Sequence, residues 1–374
     1  MAILLKIISL FEGRIRMKRL DYFQNSVPEN SSYTDRKQQL PDLNRINLYG
    51  VRGAGKSALV TDYLQDMDEE TLLYIDCEDP ALLFAPLDSA EITDYILHNG
   101  IELLVLDHFD ACRLETVPAA ERIIVISRSD LELGGFTALR LYPLDYEEFL
   151  AFERGGTQSS SFNRFLKLGT LPLMSRAAHQ GTTELKTFLR SRFDRQEILL
   201  LAVLAAYQTR HLTVHQIYRA AKERFKVSKD WLYRTIKLFQ REGILYFIDD
   251  LYQKSGRKLI LFDFVLSGYL AIGQAFIVRF DTMIALALLK HHRNFRTLGI
   301  HGYTTEQGEL IIPAPFESEE SIWKKSHNKF SLYKKFGIEK VTIVTVANSY
   351  SYHIEKIEFE ALPFYEWSIL DEEE

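Results

Sequence analysis

The chain has 374 residues, of which 47% are hydrophobic and 12% aromatic, and its formal net charge is −6. This length is too great for one ordinary core and predicts two or three domains. The composition excludes a disordered chain, and the mild charge excludes a polyelectrolyte that binds nucleic acid over its whole surface.

Cysteine content and the N-terminal residues bear on location. Cys77 and Cys112 are too few for a disulfide framework and lie in or beside apolar runs, so we expect reduced thiols in a cytosolic protein. The apolar run within residues 1–20 is interrupted by Lys6 and is too short to span a bilayer. It predicts an amphipathic helix, or an extension before a start at Met17, rather than a membrane anchor.

After an N-terminal extension (1–40), short apolar runs alternate with helical stretches as far as residue 150. Helices are expected from Lys56 and near 90–98, and the apolar runs lie at 45–50, 71–78, 102–107, 122–128 and 138–144. Runs that are apolar throughout are typical of strands buried on both faces, with helices as crossovers. Residues 41–150 therefore predict an α/β fold with a parallel sheet at its core.

Three further domains are expected after this core. Residues 151–192 are helical apart from an interruption at 153–161, and residues 266–374 contain strands at 338–346 and 355–362. Between them, residues 193–265 predict three amphipathic helices followed by a hairpin, which is the pattern of a winged helix. Thr213 and Ser228 are expected as helix N-caps, and Ser255-Gly256 as the hairpin tip.

The glycine-rich stretch GVRGAGKS, residues 50–57, carries the most specific functional signal, and we call it the glycine-rich loop. It fits the spacing G-x-x-x-x-G-K-[ST] between a predicted strand and a predicted helix, as a nucleotide phosphate loop does. Its glycines let successive N–H groups point at a phosphate, and the helix N-terminus adds a positive partial charge. We expect Lys56 to reach the β- and γ-phosphates of ATP and the Ser57 hydroxyl to coordinate Mg²⁺. The predicted ATP contacts are Gly50, Arg52, Gly53, Ala54, Gly55, Lys56, Ser57 and Ala58.

Polar residues that end two later strands complete the expected site. Asp107 closes the apolar run LLVLD and is expected to hold Mg²⁺ through water. Ser127 and Arg128 end the next run, where polar groups would face the γ-phosphate. Arg128 is either a phosphate sensor or an ordinary surface charge.

The residue after Asp107 bears on hydrolysis. Many ATPases have a glutamate there that polarises the attacking water, whereas this chain has His108. Loss of a general base costs about 10²–10⁴-fold in rate. Asp110 can substitute only if the turn brings it near the γ-phosphate, and a histidine beside a metal-bound triphosphate tends to be charged and unable to act as a base. The sequence therefore predicts ATP binding with slow hydrolysis.

The expected winged helix is basic in an otherwise acidic chain. Residues 193–262 contain 13 Lys and Arg against 7 Asp and Glu and carry +6, whereas the rest of the chain carries −12. An exposed face of the third helix is expected to present Lys229, Tyr233, Arg234 and Lys237, with Trp231, Leu232 and Phe239 in the core. The hairpin adds Lys254, Arg257 and Lys258. This surface fits either contacts to double-stranded DNA or a solvated lid of an ATPase.

Together, the glycine-rich loop, LLVLD and four later segments resemble a prokaryotic AAA-type ATPase family. The later segments are RLYPLDYEEFLAF (140–152), SFNRFLKLGTLPLMSRA (161–177), KLILFDFVLSGYL (258–270) and EKIEFEALPFYEWSIL (355–370). The resemblance covers residues 40–370, and Arg128 after its strand is also similar to the STAND ATPases. It implies ATP as ligand, a P-loop core, a helical lid whose Pro172 packs near adenine, a winged helix and a restriction-endonuclease-like C-terminal domain.

Departures from the family pattern limit what the resemblance implies. Besides His108, the second lid glycine is replaced by Thr170. A nuclease site needs carboxylates and a lysine two residues after one of them, but Ile311 and Glu319 stand at those places after Glu309 and Glu317. The C-terminal domain is therefore predicted to be an inactive scaffold.

Three functions remain open at this stage. The first is a slow ATPase that acts as a nucleotide-dependent switch through a protein partner or a homo-oligomer. The second is an ATP-regulated DNA-binding protein that uses the basic winged helix. The third is a nuclease with an ATPase motor, which requires a rebuilt metal site around Glu309 and Glu317.

Overall fold

The computed structural model divides into two compact units, with the boundary between Tyr142 and Pro143. It describes residues 19–28, 33–83, 86–112, 114, 116–153, 157–175, 181–252, 255–291 and 294–370. The expected amphipathic helix at the N-terminus falls mostly outside the described residues, and so does Lys254 of the expected basic surface.

The first unit is built on a five-stranded parallel sheet, which confirms the predicted α/β fold. The strand order is β2-β3-β4-β1-β5, so the strand before the glycine-rich loop lies between β4 and β5. The elements are β1 (Arg45–Tyr49), α1 (Lys56–Tyr63), β2 (Leu72–Asp76), α2 (Ser89–Asn99), β3 (Leu103–Asp107), β4 (Arg122–Ser127) and β5 (Thr137–Arg140).

The apolar runs form strands whose residues are largely buried, as expected for a sheet that is covered on both faces. All five residues of β3 are buried, as are the last five of β4. One face of this sheet packs against α2 and the helical residues 19–24, which contribute Leu20 and Phe23 to the core. The Asp88 side chain accepts a hydrogen bond from Ala90 N at the start of α2, and Gly100 ends the helix in the left-handed conformation.

The second unit begins with helices and continues into a winged helix. Its helical elements are α3 (Tyr146–Glu153), α4 (Gln158–Leu168), α5 (Pro172–Ser175), α6 (Gly181–Arg192), α7 (Arg195–Ala206), α8 (Val214–Lys222) and α9 (Lys229–Arg241). Thr213 and Ser228 cap α8 and α9 as predicted. Strands β7 (Leu245–Ile248) and β8 (Arg257–Leu261) pair antiparallel and form the hairpin, which we call the wing; β6 (His211–Leu212) joins its β8 edge.

A six-stranded mixed sheet follows the wing, with the order β13-β14-β12-β11-β10-β9. Its three central strands are parallel and its edges are antiparallel. The elements are α10 (Phe264–Leu270), α11 (Phe276–Lys290), β9 (Phe295–Thr297), β10 (Tyr303–Thr305), β11 (Glu309–Pro313), α12 (Glu319–Lys335), β12 (Lys340–Thr345), β13 (Tyr350–Ile354), β14 (Ile357–Pro363) and α13 (Phe364–Leu370). Both strands expected here, β12 and β14, are confirmed.

Asp263 fastens the segment between α4 and α5 to the end of the winged helix. It accepts hydrogen bonds from Thr170 N at 2.7 Å and from Thr170 Oγ1 at 2.8 Å, and it caps α10 through Leu266 N. A Cβ at Gly169 would lie 2.4 Å from its carboxylate, so no larger side chain fits at this position. Burial raises the pKa of Asp263. The Thr170 that departs from the family pattern thus supplies two of the bonds that hold this buried carboxyl.

None of the helices among the described residues is long and apolar enough to cross a membrane. Helix α12, which has 17 residues, carries charged side chains along its length. Glu319 and Glu320 lie in its first turn and Lys334 and Lys335 in its last, an arrangement that complements the helix dipole.

Candidate functional site

Backbone conformation in the glycine-rich loop depends on its glycines. Gly50, Gly53 and Gly55 have φ angles of 149°, 83° and 95°, in the region that other residues rarely adopt. At Gly50 a Cβ would also lie 2.2 Å from the carbonyl oxygen of Leu141, next to β5. The loop therefore tolerates no side chain at Gly50, and α1 begins directly after Gly55.

The Lys56 side chain turns back over the loop. Its Nζ donates to the carbonyl oxygens of Gly50 at 2.7 Å and Val51 at 3.1 Å. Among the other predicted contacts, Arg52 and Ala54 are buried, Gly53 is exposed, and Ser57 and Ala58 are partly buried. The predicted contact residues are thus in one tight turn, with the Lys56 ammonium group lying across it.

Arg36 supports this turn, a role that the sequence did not indicate, since residues 1–40 were expected only as an N-terminal extension. Only 4% of its surface is exposed. Its guanidinium donates to the carbonyl oxygen of Ala54 at 2.7 Å and to that of Tyr142 at 2.8 Å. The arginine therefore ties the glycine-rich loop to the segment that follows β5.

Asp107, at the end of β3, is held by a tyrosine of β2. Asp107 Oδ2 accepts a hydrogen bond from the Tyr74 hydroxyl at 2.6 Å, and its Oδ1 accepts one from His108 N at 2.7 Å. Burial, followed by the neighbouring Asp107 charge, raises the pKa of Tyr74 far above its ordinary value. One of the two residues expected to hold Mg²⁺ is therefore bonded to a neutral, buried phenol.

His108 has a left-handed backbone, with φ of 51°. Its Nδ1 lies 2.8 Å from Asp76 Oδ1, and its Nε2 lies 3.8 Å from Glu78 Oε2. The hydrogen bond with Asp76 is the main reason that the pKa of His108 is raised. The imidazole is thus directed towards the end of β2.

Asp110 and Arg128, both expected to act on the γ-phosphate, contact each other. Asp110 Oδ2 accepts a hydrogen bond from Arg128 N at 2.7 Å. The Arg128 guanidinium lies 2.9 Å from Glu78 Oε1, beyond the end of β2. Because β3 and β4 separate β2 from β1 in the sheet, this contact directs Arg128 away from the strand that carries the glycine-rich loop. Phosphate sensing by Arg128 stays a prediction.

Ser127, at the end of β4, is buried and bonded on both sides. Its hydroxyl donates to the carbonyl oxygen of Ser129 at 2.7 Å and accepts from Asn47 Nδ2 at 2.9 Å. Asn47 Oδ1 in turn accepts from Leu131 N. Asn47 on β1 therefore fixes the turn that follows β4, a second role that the sequence analysis missed.

The two cysteines lie shortly after the ends of two strands. Cys77 directly follows β2, and Cys112 comes five residues after β3. The neighbouring Cys112 thiol, together with burial, raises the pKa of Cys77. Both are thiols in the structure, as expected. They line a cavity of about 410 Å³, to which Asp79, Leu82 and Leu87 also contribute.

The third helix of the winged helix, α9, exposes the side chains that the sequence assigned to its outer face. Lys229, Tyr233, Arg234 and Lys237 are all exposed. Leu232 and Phe239 are buried as expected, but Trp231 is only partly buried, because it lies in the first turn of the helix where fewer neighbours cover it.

The expected contribution of the wing to a nucleic-acid surface is wrong for Lys258. This side chain is buried, its Nζ lies 2.6 Å from Asp281 Oδ2, and it stacks 4.3 Å above the Tyr303 ring. Arg257 is partly buried and lies over Phe247. The wing is thus packed against α11 and the last sheet, which the sequence had no means of indicating.

The carboxylates of the suspected nuclease site have partners of their own. Glu309 accepts a hydrogen bond from Thr342 at 2.5 Å. Glu317 pairs with Lys325 and Ser321, both at 2.5 Å, and the Lys325 bond is the main reason that its pKa is lowered. Among the described residues, no group of three or more His, Cys, Asp and Glu side chains is arranged to hold a metal ion.

Pro172, expected near adenine, begins α5 and is partly buried in the second unit. Of the residues that were missed, Asp76 had a detectable signal. The runs TLLYID and ELLVLD both end in aspartate, and parallel pairing puts Asp76 in register with Asp107. Tyr74 had no comparable signal, since a tyrosine in an apolar run is ordinary.

Comparisons with known proteins agree with the winged helix and otherwise give weak similarity. A model of the ferric uptake regulator family matches residues 187–256, which run from α6 to the tip of the wing. This is less than half of the chain, so it describes that region alone. No curated protein matches the chain significantly.

Two solved structures are similar to longer parts of the chain. The ORC1 protein of Aeropyrum pernix, in a complex with DNA, is 13% identical, with a TM-score of 0.30; the match covers 69% of this chain and 91% of that one. The Drosophila ORC bound to AT-rich DNA and Cdc6 gives 14% identity and a TM-score of 0.18, covering 58% and 81%. Because both TM-scores lie below 0.5, neither match defines this protein's fold or function.

Proposed function

We propose that this protein binds ATP with Mg²⁺ and hydrolyses it slowly, as a P-loop ATPase of the AAA/STAND type. The observation that carries the proposal is the conformation of the glycine-rich loop. Three glycines at positive φ curl the backbone in front of α1, and Lys56 lies across the curl. Backbone amides, a helix N-terminus and a lysine together favour a bound phosphate group.

Each part of the site has a distinct task. The loop amides and Lys56 would hold the β- and γ-phosphates, while Ser57 and Asp107 would hold Mg²⁺. When bound, Mg²⁺ neutralises charge on the phosphates during their cleavage. Arg36 keeps the loop in shape through Ala54. The donor set of hydroxyl and carboxylate oxygens fits this hard cation.

Slow hydrolysis follows from the residues around Asp107. The next side chain is the His108 imidazole, which is bonded to Asp76 rather than directed at β1. Asp110, the nearest carboxylate in sequence, accepts the Arg128 amide. A base must be within hydrogen-bond reach of the proton that it takes, and these contacts hold both side chains elsewhere.

ATP binding and single-turnover hydrolysis test the proposal. We expect Lys56→Ala to weaken ATP binding by about 10-fold to 100-fold, because it removes a charged hydrogen bond to phosphate. We expect His108→Glu to raise the single-turnover rate by at least about 10-fold, because it restores a carboxylate at the position of the general base. Asp110→Asn serves as the matched variant and should leave the rate unchanged.

Two results would contradict this proposal in different ways. Wild-type protein that does not bind ATP would exclude a nucleotide-binding function. Brisk turnover that Asp110→Asn abolishes would mean that Asp110 is the base, and that the protein is a more active ATPase than we propose.

The order of domains supports a switch rather than a metabolic enzyme. A nucleotide-binding core is followed in the chain by lid helices, a winged helix and a further α/β region. Asp263 joins the lid segment at Thr170 to α10, so these parts of the second unit can move together. We propose that γ-phosphate binding changes their state and that a protein partner or a second copy of the chain reads the change.

DNA binding by the winged helix is a second candidate function. It is favoured by the exposed basic face of α9, which presents Lys229, Arg234 and Lys237. The match to a regulator family over residues 187–256 supports the same region. In winged helices this third helix enters the major groove. Since Lys258 is buried, the proposed surface consists of α9 without that part of the wing.

An inactive nuclease-like domain remains part of the proposal. Residues 276–345 have the order helix, three antiparallel or mixed strands, helix and parallel strand, which supports the resemblance. Glu309 and Glu317 are each bonded to other residues, which supports the absence of nuclease chemistry. Mg²⁺-dependent cleavage of DNA by the purified protein would contradict it.

A further inference from the structure

Tyr74 contacts Asp107, one of the two residues that are expected to hold Mg²⁺. It is a residue of β2, 4% exposed, and its hydroxyl donates to Asp107 Oδ2 at 2.6 Å. Asp107 is 2% exposed. A tyrosine hydroxyl has a single hydrogen, and here that hydrogen goes to the carboxylate.

Asp107 is fixed from two sides at the same time. Its Oδ2 accepts from Tyr74, and its Oδ1 accepts from the backbone N–H of His108. A buried carboxylate with both oxygens bonded has one orientation rather than several. The tyrosine of β2 therefore fixes the orientation of the carboxylate that ends β3.

We propose that Tyr74 is a positioning residue of the Mg²⁺ site, which orients the Asp107 carboxylate for the cation of Mg·ATP. The inference rests on the proposed ATP binding and adds a residue from a different strand. Groups that hydrogen-bond to a metal ligand, rather than to the metal itself, typically contribute about 10- to 100-fold to metal affinity. We therefore expect Tyr74 to affect the gain in ATP affinity that Mg²⁺ provides, rather than the binding of the phosphates by the loop.

Calorimetric titration of ATP, in EDTA and in excess Mg²⁺, separates these two contributions. For Tyr74→Phe we expect the affinity in EDTA to be that of the wild type, and the gain in affinity on adding Mg²⁺ to fall by about 10-fold. Tyr95→Phe is the matched control. Tyr95 is also buried, but its hydroxyl bonds Asp21 and Gln24 of the helical residues 19–24, at 2.9 and 2.6 Å.

The possible results have distinct meanings. An unchanged Mg²⁺ gain in Tyr74→Phe overturns the inference and leaves ATP binding intact. An equal loss of affinity in EDTA and in Mg²⁺ also overturns it, because the tyrosine would then act on the fold alone. If wild-type protein shows no ATP binding, the proposed function fails and the inference falls with it. Should Tyr74→Phe not fold, Tyr74→Leu removes the same hydroxyl from a smaller side chain and is judged in the same way.

Discussion

Arg36 donates to the carbonyl oxygens of Ala54 and Tyr142 while only 4% of its surface is exposed. A buried arginine is costly unless its donors are satisfied, and here two of them hold the backbone of the glycine-rich loop and of the segment after β5. Gly50 also shapes the glycine-rich loop, because the absence of a Cβ lets the Leu141 carbonyl oxygen approach its backbone closely. The geometry of the candidate site thus depends on residues that do not themselves bind phosphate.

This dependence gives a prediction for stability at the residue scale. Arg36→Met keeps the length of the side chain but leaves the Ala54 and Tyr142 carbonyl oxygens without these donors, and we expect a loss of about 2–4 kcal/mol. Urea unfolding followed by far-UV circular dichroism measures it. Arg45→Met is the control: Arg45 is exposed at the start of β1, and its replacement should cost no more than about 0.5 kcal/mol. Equal unfolding midpoints for the two variants would contradict the role of Arg36.

At the scale of elements, the two parts of the winged helix differ in exposure. Helix α9 is exposed on one side, whereas the wing is packed against other elements. Helix α9 has a buried side with Leu232, Ile236 and Phe239 and an exposed basic side. In contrast, Lys258 of the wing is paired with Asp281, and Asp250 after β7 accepts hydrogen bonds from Thr297 and Gly299. Any DNA contact therefore depends on α9 more than on this part of the wing.

The prediction for DNA binding concerns the salt dependence of duplex affinity. Changing Lys229, Arg234 and Lys237 together to glutamine should weaken binding at low salt, because fewer counterions are then released from the DNA. The slope of log affinity against log salt should become shallower by about 0.9 for each of these side chains that binds a phosphate in the wild type.

A control triple variant changes the net charge by the same amount on another helix. It replaces Lys324, Lys325 and Lys334 of α12, whose side chains are 53–66% exposed. Equal weakening by both triple variants would indicate non-specific charge effects. Absence of duplex binding by the wild type at low salt would exclude the second candidate function.

At the scale of the whole molecule, the tryptophans are distributed unevenly between the units. All three, Trp231, Trp323 and Trp367, lie in the second unit, whereas the glycine-rich loop lies in the first. Tryptophan emission therefore reports on the winged helix and the last sheet and not on the loop itself.

A nucleotide switch predicts that Mg·ATP changes this emission. The change should saturate with the same affinity as calorimetric binding, and in Lys56→Ala it should require an ATP concentration about 10- to 100-fold higher. Calorimetric saturation without any change in emission would mean that the second unit does not respond to the nucleotide. The protein would then be an ATP-binding protein in which the proposed switch is absent.

Much of this molecule follows from local patterns in the sequence. Apolar runs predicted β2, β3, β4 and β12, because burial on both faces leaves little place for polar residues. Strands β5 and β14 were also predicted, although their residues are only partly buried. The glycine spacing predicted the turn after β1, and Thr213 and Ser228 predicted helix starts, since each depends on a few neighbouring residues.

Contacts between distant residues were decided only by the tertiary structure. Tyr74 and Asp107 are 33 residues apart, and Arg36 and Tyr142 are 106 apart. Lys258 was expected in solvent, but packing of the wing against α11 gave it a buried partner. A single sequence records which residues are polar or apolar and how they are spaced, but the partner of a buried polar group is fixed by how the elements pack.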